Sequence, residues 1–133
     1  MTERNTSLRT TESLSVLIVD DEVGIAETLA DFIQELGYTP LVAYNGLEAL
    51  ALARKRWPAL VITDFMMPIL NGLGLLKALR AEAAEQRKTM PPVIMLSAVN
   101  TIAAMRDEKA DAMLAKPFDL DELERIIERF LSQ

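Results

Sequence analysis

The sequence predicts an α/β fold: one five-stranded parallel sheet with helices on both faces. Two observations predict it. Short apolar runs alternate five times with segments of helical period along the 133 residues. The runs are apolar throughout, as strands covered on both faces are, not alternating as half-exposed strands are. Strand–helix alternation of this kind builds a parallel sheet, and right-handed crossovers restrict it to a few doubly wound orders.

Each element has its own signal. Residues 1–13 are polar apart from Leu8 and read as a flexible tail, with one folded domain over 14–132. Residues 14–19 (LSVLIV) read as a buried strand. In 22–36 the period changes: Ile25, Leu29, Phe32, Ile33 and Leu36 share one helix face, and Gly37 is placed to stop the helix. A weaker strand follows over 38–43. Asn45 is a candidate N-cap for a helix over 46–56, with Leu47, Leu50 and Ala51 inward, and Pro58 prevents its continuation. The third strand, 59–63, ends at Asp64. After a loop with Pro68, Asn71 and Gly72, Leu73, Leu76 and Leu79 mark a helix to about residue 84. Residues 93–96 (VIML) form the fourth strand, 101–109 a short helix, and 112–115 the fifth strand. Asp119 opens the last helix, with Glu122 placed for a capping box and Leu120, Leu123, Ile127 and Phe130 as its stripe.

Composition removes whole classes of chemistry. The chain has no cysteine, so disulfides, thiolate nucleophiles and cysteine metal sites are excluded. It has no histidine, so Ser-His-Asp triads and imidazole bases are excluded as well, and it cannot donate a phosphoryl group from a histidine of its own. A net charge of −6 makes direct nucleic-acid binding by this domain unexpected. No apolar stretch suggests a membrane span or a signal peptide, and a cytoplasmic protein is expected.

In open parallel sheets, ligands bind at the carboxyl ends of the strands. Asp20, Asp21 and Glu22 follow the first strand, Asp64 the third, Ser97 and Ala98 the fourth, and Lys116 and Pro117 the fifth. Clustered carboxylates repel and raise one another's pKa, which a fold tolerates mainly when a cation relieves it. A set of oxygen ligands alone favours Mg²⁺ (or Mn²⁺). The chain lacks a P-loop, a dinucleotide fingerprint and a nucleophile elbow. A carboxylate can itself attack phosphorus to form an aspartyl phosphate. Asp64, alone on its strand, is the candidate nucleophile, with Asp20 and Asp21 as metal ligands.

LIVDDE (17–22), VITDFMMPILNG (61–72), VIMLSA (93–98) and AMLAKPF (112–118) together resemble the receiver domains of two-component response regulators, over about residues 14–132. The resemblance implies a CheY-like, flavodoxin-type fold with strand order 2-1-3-4-5. It implies Asp64 as phosphoacceptor and Asp21 as a direct Mg²⁺ ligand, with Asp20 acting through water. The Met66 backbone carbonyl is the further ligand. Lys116 pairs with the phosphoryl group, the Ser97 hydroxyl moves toward it, Ala98 leaves it room, and Pro117 follows a cis peptide.

The chain departs from the family pattern in three places. Met113 stands where the family has an aromatic switch residue. The interval from Ser97 to Lys116 is about one helical turn short, and Glu108-Lys109 replaces the usual Ala-Gly. Met66 and Val99 are apolar at positions flanking the path of the hydrolytic water, which is expected to slow dephosphorylation. The expected function is that of a signalling phosphoacceptor, not a conventional enzyme, catalysing its own phosphorylation and hydrolysis. Its partners are a histidine kinase or phosphotransfer protein and a downstream target on the face of the fourth helix, fifth strand and fifth helix, with a homodimer possible there. The alternative is a receiver-like binding module independent of phosphorylation. An aspartate-dependent phosphatase fits poorly, because Met66 occupies the place of that class's second aspartate. Trp57, Met66, Met67 and Phe118 are expected to pack, and Glu124, Arg125, Glu128 and Arg129 to form a solvated face.

Overall fold

Five strands form one parallel sheet in the order β2-β1-β3-β4-β5. The structure, a computed structural model, describes residues 13–98 and 110–131. The strands are β1 (Ser15–Val19), β2 (Thr39–Ala43), β3 (Leu60–Asp64), β4 (Val93–Ala98) and β5 (Ala112–Lys116). The described helices are α1 (Val23–Glu35), α2 (Gly46–Lys55), α3 (Gly72–Gln86) and α4 (Leu120–Leu131). This is the order implied by the resemblance. The helix expected over 101–109 lies outside the described residues, as do Val99, Glu108, Lys109 and residues 1–12 of the tail.

The sheet separates two cores, which is why its strands are apolar on both sides. On one face Val16, Ile18, Ile62, Ile94 and Leu96 meet α1 through Leu29 and Ile33, and α4 through Leu123 and Ile127. On the other, Leu17, Val19, Val61 and Met95 meet α2 through Ala49, Leu50 and Ala53, and α3 through Leu75 and Leu79. Pro40 sits in β2, an edge strand, where a missing N–H costs no ladder bond.

The helix ends follow local chemistry. Gly37 adopts φ 98°, its N–H donates to the Gln34 carbonyl and the Tyr38 N–H to that of Ile33, a Schellman stop for α1. The Asn45 side chain accepts from the Glu48 N–H at 2.9 Å, the expected cap of α2. Asn71 caps α3 in the same way through the Gly74 N–H at 2.8 Å. The Asp119 carboxylate accepts from Asp121 instead of Glu122, so α4 has a simple N-cap in place of the expected capping box.

Three further expectations need correction. Leu47 and Ala51 face solvent, and the buried positions of α2 are Gly46, Ala49, Leu50 and Ala53. The helix phase is set by small residues that let it lie close to the sheet, a pattern that leucine spacing does not reveal. Met67 is buried but Met66 is 62% exposed, so the pair does not pack as a unit. Ser97, Ala98 and Lys116 lie within their strands and not after them, because β4 and β5 pair to their ends. In α4, Leu123 and Ile127 are buried, Leu120 and Phe130 pack half-buried against the same core as expected, and Leu131 adds a further buried position. Trp57 packs as expected, with its ring under the Lys88 ammonium and its N–H on the Thr89 carbonyl.

Candidate functional site

Parallel register brings the acidic residues together. Val19 pairs with Thr63, so Asp20 and Asp64 sit at the same level on neighbouring strands. The Asp20 N–H donates to the Ala43 carbonyl, which continues the β1–β2 ladder to the sheet edge. The Phe65 N–H likewise donates to the Leu96 carbonyl and fixes the backbone just beyond Asp64. Ala98 pairs with Lys116, so the lysine leaves β5 at the same edge.

One oxygen from each of Asp20, Asp21 and Asp64 lies within 4.8 Å of the others. Asp20 is fully buried, Asp64 is 6% exposed and Asp21 is exposed. The Lys116 ammonium lies 3.0 Å from Asp20, 3.2 Å from Asp64 and 3.7 Å from Glu22. The Glu22 N–H donates to the other Asp20 oxygen at 3.0 Å. Burial raises the Asp64 pKa above its ordinary value, the Asp20 and Asp21 charges raise it further, and Lys116 only partly offsets this. Burial alone would lower the Lys116 pKa, but its hydrogen bonds and attraction to Asp20 and Asp64 outweigh that and raise it.

The donor set fits a divalent metal. The Lys116 ammonium lies against Asp20 and Asp64, and Asp21 adds a third carboxylate, so among the described residues the carboxylates of this site outnumber its close ammonium, and two of them are buried. All the offered ligands are hard oxygens, the set that Mg²⁺ and Mn²⁺ prefer over softer ions.

The other expected residues lie on the strands and loops that carry this cluster. Ser97 is buried and its hydroxyl donates to the Ala98 carbonyl at 3.1 Å. Ala98 is exposed at the end of β4. The Lys116–Pro117 peptide is cis. Met113, half buried in β5, packs against the α2–α3 core. Met66 lies two residues beyond Asp64 with its side chain in solvent.

Three features were not read from the sequence. The backbone donor of Glu22 and its contact with Lys116 depend on a turn that no motif announces. A groove of about 830 Å³ runs from Glu22 and Lys116 along Ile25, Leu29, Phe118 and Leu120. Its walls come from chain segments far apart in sequence; Phe118 both packs and lines it. The close approach of two glycines around the β3–α3 loop is the third.

The response regulator receiver domain family matches residues 16–128. The response regulator Rre1 of Synechocystis sp. is 37% identical over 125 residues, covering 92% of this chain and 53% of that protein. The chain spans about half the length of Rre1 and of similar regulators such as MprA of Mycobacterium ulcerans. Sporulation initiation phosphotransferase F of Bacillus subtilis is 33% identical over 119 residues, covering 87% of this chain and 92% of that protein. The solved receiver domain of the sensor histidine kinase PA1611 from Pseudomonas aeruginosa holds a magnesium ion in its active-site cleft. It superposes with a TM-score of 0.77 at 26% identity, covering 91% of this chain and 99% of that one.

Proposed function

The chain belongs to the response regulator receiver domain family, and from that membership we propose that Asp64 accepts a phosphoryl group from a histidine kinase or phosphotransfer protein, in a reaction that uses Mg²⁺ (or Mn²⁺). The observation that carries this reading is the group of three carboxylates, two of them buried, with the Lys116 ammonium against Asp20 and Asp64. Similarity to a phosphotransferase over nearly its whole length, and to a receiver with magnesium in its cleft, supports it.

A carboxylate oxygen of Asp64 attacks phosphorus, the bond from phosphorus to the donor imidazole breaks, and that electron pair returns to the imidazole nitrogen. Asp20, Asp21, Asp64 and the Met66 carbonyl would hold the metal, which when bound neutralises charge on the transferred group. Lys116, already 3.2 Å from Asp64, pairs with a phosphoryl oxygen. Ser97 turns its hydroxyl from the Ala98 carbonyl toward the new group, and Ala98 leaves room for it.

Phosphorylation adds about −1.5 to −2 charges to a site already short of cations. Redistribution of Lys116 and Ser97 is the local event that switches partner binding. The donor docks at the mouth of the site, and a downstream target or a second copy reads the change on the side of β5 and α4. We place this exchange in the cytoplasm. Among the described residues, no helix is long and apolar enough to cross a membrane.

The test is intact mass after incubation with acetyl phosphate, with and without Mg²⁺, on wild type and Asp64→Asn. A Mg²⁺-dependent gain of one phosphoryl group that Asp64→Asn abolishes is expected. No gain, together with an amide spectrum indifferent to beryllofluoride, would favour a phosphorylation-independent binding module.

A further inference from the structure

Two glycines hold the β3–α3 loop with no room to spare. Gly72, the first residue of α3, is buried, and a β-carbon there would lie 2.4 Å from the Asp64 carbonyl oxygen and 2.6 Å from the Met95 sulfur. Gly46, the first residue of α2, is buried too. A β-carbon there would lie 2.5 Å from the Leu70 carbonyl oxygen and 2.7 Å from its β-carbon. Carbon atoms do not approach backbone at these distances, so a side chain at either position must move the loop or the helix.

The helix is the harder of the two to move. Its first turn is capped by Asn45, the Glu48 carboxylate bonds back to the Tyr44 N–H at 2.8 Å, and Ala49, Leu50 and Ala53 are buried beneath it. The loop is the softer element. Ile69 sits at φ 75°, a conformation a β-branched residue rarely adopts, and is 73% exposed, so little packing holds it there. Displacement of Leu70 is passed to Gly72 two residues on. Gly72 is tied to the carboxyl end of β3 by its N–H on the Phe65 carbonyl at 2.9 Å, and the Asp64 carbonyl fills the space a side chain there would need.

We propose that Gly46 is a positioning residue for the acidic site: by bearing no side chain it lets α2 buttress Leu70, and through Leu70 and Gly72 it fixes Asp64 where its carboxylate meets those of Asp20 and Asp21. The inference rests on the proposed metal-dependent function and adds a remote determinant to it. Supporting residues of this kind commonly cost about 10–100-fold in metal affinity when disturbed.

Gly24 supplies the matched control. It lies in the first turn of α1, and a β-carbon there meets nothing within 4 Å. Alanine improves helix propensity at both positions, so only the contact differs. The experiment measures the Mg²⁺ dissociation constant of the full chain by calorimetry, well below each variant's melting temperature, and Mn²⁺ binding by electron paramagnetic resonance. Gly46→Ala is expected to weaken Mg²⁺ binding about tenfold, with Gly24→Ala within twofold of wild type. Leu70→Ala, which removes the buttressed side chain without overpacking, is expected to weaken it in the same direction and serves if Gly46→Ala does not fold. A folded Gly46→Ala or Leu70→Ala with wild-type Mg²⁺ affinity, alongside Asp21→Asn that loses it, overturns this inference and leaves the proposed function standing. A wild type whose Mg²⁺ binding is indifferent to Asp21→Asn removes the metal reading, and the inference with it.

Discussion

Burial of Asp64, and the charges of Asp20 and Asp21 beside it, raise its pKa above the ordinary carboxylate value. A carboxyl whose folded pKa exceeds its unfolded one binds protons more tightly when folded. Its ionised form therefore subtracts from stability above that pKa, and the penalty fades as pH falls through it. Asp64→Asn should therefore stabilise the metal-free protein at pH 7. The gain should shrink in urea melts repeated toward pH 4, and an undiminished gain there would show that charge is not the cause. The Lys116 pKa is raised as well, but there the charged form is the protonated one: its stabilising contribution is intact below 10.5 and is lost only as pH climbs through the higher folded value. Met66 belongs to the same scale. Its exposed apolar side chain lies two residues beyond Asp64, at a position expected to flank the path of an attacking water. Met66→Asn should speed loss of the phosphoryl group about tenfold, equivalent to roughly 1.4 kcal/mol of barrier, in a phosphate-release assay; an unchanged rate would show that Met66 does not restrain that water.

The elements end where side chains and φ angles dictate. Helix α3 stops on Arg87 at φ 56°, with the Lys88 N–H on the Ala83 carbonyl, the geometry that Gly37 gives α1. An arginine pays for that left-handed conformation and a glycine does not. Arg87→Gly should therefore stabilise the fold by about 0.5–1 kcal/mol, seen as a higher urea midpoint at constant slope. At the other end of the same helix, Asn71→Ala removes the acceptor of the Gly74 N–H and should cost about 1 kcal/mol. The two variants on one helix separate cap chemistry from any general softening of α3, which would lower both.

For the whole molecule, five strand ends converge on one edge, and the two cores exist to hold that edge in register. A ligand that binds only the folded chain adds RT ln(1 + [L]/Kd) to its stability, about 2.7 kcal/mol at a hundredfold excess over Kd. Mg²⁺ should accordingly raise the melting temperature of wild type, and Asp21→Asn should melt at the same temperature with and without it. A Mg²⁺ shift that persists in Asp21→Asn would place the bound ion elsewhere. Leu123, fully buried where α4 meets the sheet, sets the size of the core contribution: Leu123→Ala should cost about 2–5 kcal/mol in denaturant melts.

Strand–helix alternation, the parallel sheet and the meeting of acidic residues and a lysine at one sheet edge are legible in the residues alone. Each is written in a local period or in a polar residue that interrupts an apolar run at a strand end. Asp20, Asp21, Asp64 and Lys116 could be named in advance because a parallel sheet brings all its strand ends to one edge. Local patterns could not say that Leu47 faces solvent while Ala49 and Ala53 face the core, since that depends on how closely α2 lies on the sheet. Nor could they say that Ser97 and Lys116 are strand residues, which depends on pairing with a neighbouring strand. Packing in three dimensions is what lets one ammonium serve two carboxylates from other strands, and what places Leu70 in the space a side chain at Gly46 would need. Both are contacts between segments far apart in the chain, set by packing distance, and no local sequence period records a distance.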